Sequence, residues 1–263
     1  MKTIYTRELK NNLKYFLIWS LVVGGLGMAC LLMFDSMKGD MANMADSFSK
    51  MGAFSDAFGM STLSIATVKG FFATEVGTVH GLGGAMFAAI LAICILSKEE
   101  EGHTGEFLLS LPVKRWKVVA SKGMCVLTMI LGFTLVCGVL YAIGFAVLGE
   151  ELPTSEFLSF LLRQMLMNLE VAGICFAISA LSGRNRMGLG IGIALICYIF
   201  DLIGRVVPAI KDYIFLGPYS YANASEILSG QAAPVGAILL GIALTLITPA
   251  FAIWWYNRRD LAA

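Results

Sequence analysis

The sequence is poor in charge, in histidine and in every pattern that would hold a nucleotide or a metal. Only 14% of its 263 residues are charged and 58% are hydrophobic, whereas soluble domains carry roughly a quarter and a half. Water is therefore not the solvent of most of this chain. A net charge of +1 argues against a nucleic-acid partner, which needs a concentrated basic face. The two histidines, His80 and His103, have no cysteine, serine or carboxylate at a recognisable spacing, so each is expected to be structural and no catalytic residue is assigned. The six cysteines (Cys30, Cys94, Cys125, Cys137, Cys175, Cys197) stand singly in apolar runs, which leaves no metal-binding or redox pair. They read as small apolar packing residues. No G-x-x-x-x-G-K-[ST] loop is present, so this chain is expected to bind no cofactor and not to hydrolyse ATP by itself.

What the sequence does contain is apolar runs of about twenty residues, the length that crosses a hydrocarbon slab of about 30 Å. Six spans are expected, at about 15–34, 76–97, 118–148, 157–181, 187–207 and 234–256, in a single transmembrane domain over 1–263. The fold class that follows is an all-α polytopic membrane protein. The run after Lys2, Arg7, Lys10 and Lys14 is too long for a signal peptide and is kept as the first span. The third span exceeds what a bilayer needs, and is expected to tilt or to begin in the interface.

Orientation follows from the basic residues. Lys2, Arg7, Lys10, Lys14, Lys98, Lys114, Arg115, Lys117, Lys122, Arg184, Arg186, Arg258 and Arg259 share one side, against Lys38, Lys50, Lys69, Arg205 and Lys211 on the other. The positive-inside rule makes the chain N-in and C-in. Trp254, Trp255 and Tyr256 mark the cytosolic interface at the end of span six, and Pro249 is expected to bend that helix.

Two interfacial helices are expected beside the spans. One is N-terminal, with Ile4, Leu9 and Leu13 among basic neighbours, and lies flat before the chain turns inward. The other lies in the external loop 35–75, where Met37, Met41, Met44, Phe48 and Met51 form a stripe that either packs on the helix tops or gates a substrate. The last external loop, with Pro208, Gly217, Pro218 and Tyr219, suggests a turn and then a short helix at 224–228 dipping toward the membrane, shielded from lipid. Two small-residue stripes, Gly77–Gly81–Ala85–Ala89 and Gly188–Gly192, serve either a dimer seam or packing within the chain.

The loop 98–117 is the most informative stretch. Thr104 can cap a short helix expected to carry Glu106, Phe107, Leu108, Leu109 and Leu111, with Pro112 expected to end it. An apolar helix projecting into the cytosol implies a protein partner. Here the sequence resembles the permease subunits of type-2 ABC transporters, in which an acidic cluster, Thr-x-Glu-Phe-Leu-Leu, Ser-x-Pro-Val and a basic pair follow the second span. The resemblance covers 99–115 closely and extends in topology over nearly the whole chain. It implies an exporter permease that pairs with a second permease copy or homologue, and with an ABC ATPase subunit that binds ATP and Mg. It also implies that Glu99, Glu100, Glu101, Thr104, Glu106, Phe107, Leu108, Leu109, Pro112 and Arg115 form the cytosolic coupling helix and its flanks.

Span four is the polar exception, with Arg163, Gln164, Asn168 and Glu170 inside an apolar run. A charge at mid-membrane costs about 2.5–3.5 kcal/mol on insertion scales, so these groups face protein or water. Glu170 is either a pathway residue or part of an internal pair, with Arg163 two turns away, or of a hydrogen-bonded clamp between helices. Asp201 and Arg205, at i and i+4, are expected to pair. Two other functions remain open at this point. One is an ion- or proton-coupled carrier using Glu170 and Arg163, although no inverted repeat is evident to favour it. The other is a membrane protein that does not transport, such as an immunity or assembly factor or a lipid enzyme.

Overall fold

A computed structural model describes residues 1–49, 51–102 and 113–259. These residues are helical, with no strand among them. The chain runs α1 (Lys2–Ser49), α2 (Ala53–Ala57), α3 (Val68–Phe71), a π-turn (Phe72–Val76), α4 (Gly77–Ile95) and α5 (Ser97–Glu101). It continues through α6 (Arg115–Leu148), α7 (Thr154–Leu181), α8 (Met187–Val206), α9 (Pro208–Lys211), a 3-10 turn (Ile214–Leu216), α10 (Ala224–Leu228) and α11 (Val235–Arg258). Among the described residues six helical units are long and apolar enough to cross a membrane: α1, the α3–α4 unit, α6, α7, α8 and α11.

The expected N-terminal interfacial helix is not a separate element, because α1 runs unbroken from Lys2 into the first span and on to Ser49. Its first glycine is Gly24 and it contains no proline, so nothing interrupts the hydrogen-bond ladder before the membrane. Forty-eight residues make a rod of about 72 Å at 1.5 Å each, more than twice the hydrocarbon thickness. The external stripe continues this rod: Met37 and Met41 are half-buried, Met51 lies beyond the helix and is exposed, and the side chains of Met44 and Phe48 lie outside the described residues.

Helices α4 and α7 form the core. The apolar stretch of the Val68–Ile95 unit, to which α4 belongs, is 67% buried, as is that of α7, against 22% in α8 and 17% in α11, which sit at the periphery. Small residues set the close approaches. A Cβ on Gly27 would lie 2.6 Å from Tyr141 Cε1 and one on Gly144 would lie 2.9 Å from Leu31 Cδ2, so α1 and α6 interlock glycine against side chain. The Gly77–Gly81–Ala85–Ala89 stripe is used inside the chain. Ala85 and Ala89 are fully buried, and a Cβ on Gly77 would meet Ala224 Cβ at 2.5 Å. Gly188 and Gly192, by contrast, face open space.

The π-turn at 72–76 puts one extra residue into the α3–α4 unit and places Phe72 at the centre of the bundle. Its ring packs against Tyr141, Phe145, Phe157 and Phe160 at centroid distances of 5.3–6.1 Å. The segment 217–228 closes one end of this core. Tyr219, Tyr221, Ile227 and Leu228 are buried, and Asn223 caps α10 by accepting from the Glu226 N–H at 3.1 Å. Its backbone is thereby held against protein, as irregular structure near lipid requires.

Candidate functional site

Polar groups gather at three depths. The first set lies where α1, α4, α5, α6 and α11 come together at the basic end. Lys122 is 1% exposed, and its ammonium donates to Ile95 O at 2.7 Å and Glu99 Oε1 at 3.0 Å and pairs with Glu8 Oε1 at 2.9 Å. Glu8, itself buried, also pairs with Lys98. On the other side, Arg259 pairs with Glu100 and donates to Ala180 O at 2.9 Å, while its own carbonyl accepts from Arg115 Nη1 at 2.9 Å. Glu101 accepts from the Asn185 N–H at 3.2 Å. Burial pushes the Glu100 carboxyl above its usual range, and the Arg259 guanidinium opposes that shift.

Every described member of the expected coupling segment (Glu99, Glu100, Glu101 and Arg115) is therefore tied to its own chain. Thr104, Glu106, Phe107, Leu108, Leu109 and Pro112 lie outside the described residues. The clamps grip both ends of the 103–112 segment. Lys122 and Glu99 join α6 to α5, and Arg259 joins α5, through Glu100, to the end of α7 and to Arg115. Sequence reasoning missed Glu8, Lys98, Lys122 and Arg259 as partners. Two local signals were available: Glu8 is the single acid among the basic residues of the N-terminus, and Lys122 lies next to an apolar run.

The second set lies along the α4–α7 seam. Gln164 Nε2 donates to Ala222 O at 2.8 Å, and His80 Nδ1 lies 3.0 Å from Tyr141 Oη. Asn168 is fully buried, with its amide packed on Gly84. Glu170 accepts from Tyr221 Oη at 2.6 Å, and Gly241 of α11 lies directly over that bond, where a Cβ would sit 2.8 Å from Glu170 Oε2. The carboxylate thus pins α7 to the external segment beneath α11. Among the described residues no ion pair joins Arg163 to Glu170, since seven residues along a helix separate them by about 10 Å. Arg163 is half-buried.

The third set is the expected Asp201–Arg205 pair, bidentate at 2.8 and 3.1 Å, with Glu226 of α10 as a further partner of Arg205. A cavity of about 50 Å³ lies beside it, lined by Gly81, Gln164, Tyr198, Asp201, Tyr219 and Asn223. No group of three or more metal-ligating side chains occurs among the described residues.

A helical bundle with six spans among the described residues, four of its ion pairs at the basic end and the Asp201–Arg205–Glu226 pairs away from it, defines a multi-pass membrane protein. The chain belongs to the ABC-2 transporter family: over residues 3–261 it matches the family described as ABC-2 family transporter protein. It is accordingly a permease component of an ABC transporter, and its family partners an ABC ATPase. No curated protein matches the chain in sequence.

Proposed function

We propose that this chain is the permease half of an ATP-driven exporter in a bacterial cytoplasmic membrane. It works with a second permease copy or homologue and with separate ATPase subunits that hold ATP and Mg. The basic end lies in the cytoplasm, and residues 1–263 act as one transmembrane domain. The loop 98–117 couples the chain to the ATPase, with Phe107, Leu108 and Leu109 as the apolar contacts and Thr104, Glu106 and Pro112 shaping the helix that presents them.

The observation that carries this reading is the pair of clamps at the ends of the loop. A segment that must convey movement has to be fastened to what it moves. Glu99 and Glu100 are fastened through Lys122 and Arg259 to α1, α6, α7 and the end of α11. Closure of an ATPase around the loop would thus shift the cytosolic ends of several spans together, biasing a two-state domain motion. The open face of α8, where Gly188 and Gly192 stand free and Ile196, Ile199 and Ile203 are exposed, supports a second permease as neighbour.

The test is to co-purify the chain with a candidate ABC ATPase subunit from the same genome, as wild type and with Phe107→Asp and Leu108→Asp. The substitutions are expected to release the ATPase while leaving the permease folded. Retention of the ATPase with unchanged ATP turnover would refute the assignment.

A further inference from the structure

An apolar cleft of about 380 Å³ lies between α6, α7 and α11 near the basic end. It exists because the three helices meet unequally. A Cβ on Gly173 would lie 2.3 Å from Thr248 Oγ1, so α11 presses close on α7 there. Between α6 and α7 part of the lining is small, with Ala120 and Gly123 on α6 and Ala172 on α7. Pro249 lies on the α11 wall, where its missing N–H leaves the Thr245 carbonyl without its helical donor. Leu246 and Met124, 68% and 51% exposed, stand at the rim.

We propose that this cleft binds one acyl chain of an anionic phospholipid from the leaflet at the basic end. Size decides first. The volume is more than twice the roughly 150 Å³ that holds a benzene ring, while 12 Å of a helix about 10 Å across would occupy about 900 Å³. A hydrocarbon chain fits where a protein helix does not. Length agrees: the lining runs from Val119 to Leu127 on α6 and from Thr245 to Ile253 on α11, each about 12 Å at 1.5 Å per residue. One leaflet is about 15 Å deep.

Charge fixes the headgroup. Trp116 and Lys117 sit one turn beyond Ala120 toward the basic end, with the Lys117 ammonium 5.7 Å from the Trp116 ring centre. On α11 the Arg258 guanidinium lies 4.6 Å from the centre of the Trp254 ring. The stretches 115–127 and 245–259 contain no acidic residue. A basic and aromatic collar above a one-leaflet slot suits an anionic headgroup over its own chain. This site rests on the proposed orientation and not on ATPase coupling.

The test uses the purified chain in nanodiscs of phosphatidylcholine with a minor share of phosphatidylglycerol carrying a mid-chain diazirine, with adducts mapped by mass spectrometry after illumination. Adducts are expected to concentrate on peptides containing Met124, Leu127 and Phe176 rather than on the freely exposed Leu135 and Leu239. Gly123→Leu should remove that enrichment. Lys117→Gln, a half-exposed position whose loss leaves the core intact, should lower the preference for phosphatidylglycerol over an equally labelled phosphatidylcholine by roughly fivefold, the factor for one lysine near an anionic surface. Even labelling of all apolar faces would overturn the proposal. So would equal labelling by both lipids. Any of those results leaves the ATPase reading standing.

Discussion

Replacing Lys122 by Met removes the hub of the basic-end clamp while keeping a long, unbranched side chain. The ammonium is 1% exposed and has three partners: Glu8, Glu99 and the Ile95 carbonyl. Removing one member of a buried pair costs about 3–5 kcal/mol, because the remaining charge stays buried without compensation. Glu8 retains Lys98, and Glu99 is 17% exposed and can turn toward water, so the lower end, about 3 kcal/mol, applies. At about 2–4 °C per kcal/mol for chains of this size, the melting temperature should fall by about 6–12 °C. The buried thiols of Cys125, Cys137 and Cys175 supply the assay, since a maleimide dye labels them only on unfolding. Lys122→Met combined with Glu8→Gln should cost less than the sum of the two single changes by more than about 0.5 kcal/mol. Additive costs, or a drop of less than about 2 °C for Lys122→Met alone, would refute the claim that these residues act as one unit.

Two further outcomes follow from the geometry. Tyr221→Phe removes the hydroxyl that donates to Glu170 and should cost about 1–3 kcal/mol by the same thiol assay, whereas Glu170→Gln keeps an acceptor oxygen and should cost less than about 1 kcal/mol. Equal losses would show that the negative charge itself is required. Glu100 has its pKa raised by burial, so the stability it contributes is full below about pH 4.3 and declines as the pH rises through the raised value. A series of melts from pH 4 upward should therefore show wild type losing stability relative to Glu100→Gln, and a constant difference across the series would contradict the assigned burial.

The spans were legible in the sequence because hydropathy and length are local properties. The Asp201–Arg205 pair was legible for the same reason, as one helical turn brings them together. What was missed depended on distant partners or on continuity. Glu8 and Lys122 are 114 positions apart and meet only because α1 packs along α6, and no periodic pattern announces such a contact. The Arg163–Glu170 spacing pointed to a shared face but not to reach, and Tyr221, supplied by an irregular external segment, took the carboxylate instead. The N-terminal helix was expected apart from span one because its composition changes near Tyr15, but composition alone does not break a helix that has no proline, and no glycine before Gly24. The Gly77 stripe offered two uses, and only the neighbour Ala224 decides between them.

The most direct measurement is a photo-crosslink from a benzophenone side chain placed at position 107 in the assembled transporter, read by mass spectrometry with and without ATP. The account predicts an adduct with the ATPase subunit, with a yield that changes on nucleotide binding as the loop moves with its partner. An adduct formed only within the permease chain, at a yield indifferent to ATP, would contradict it.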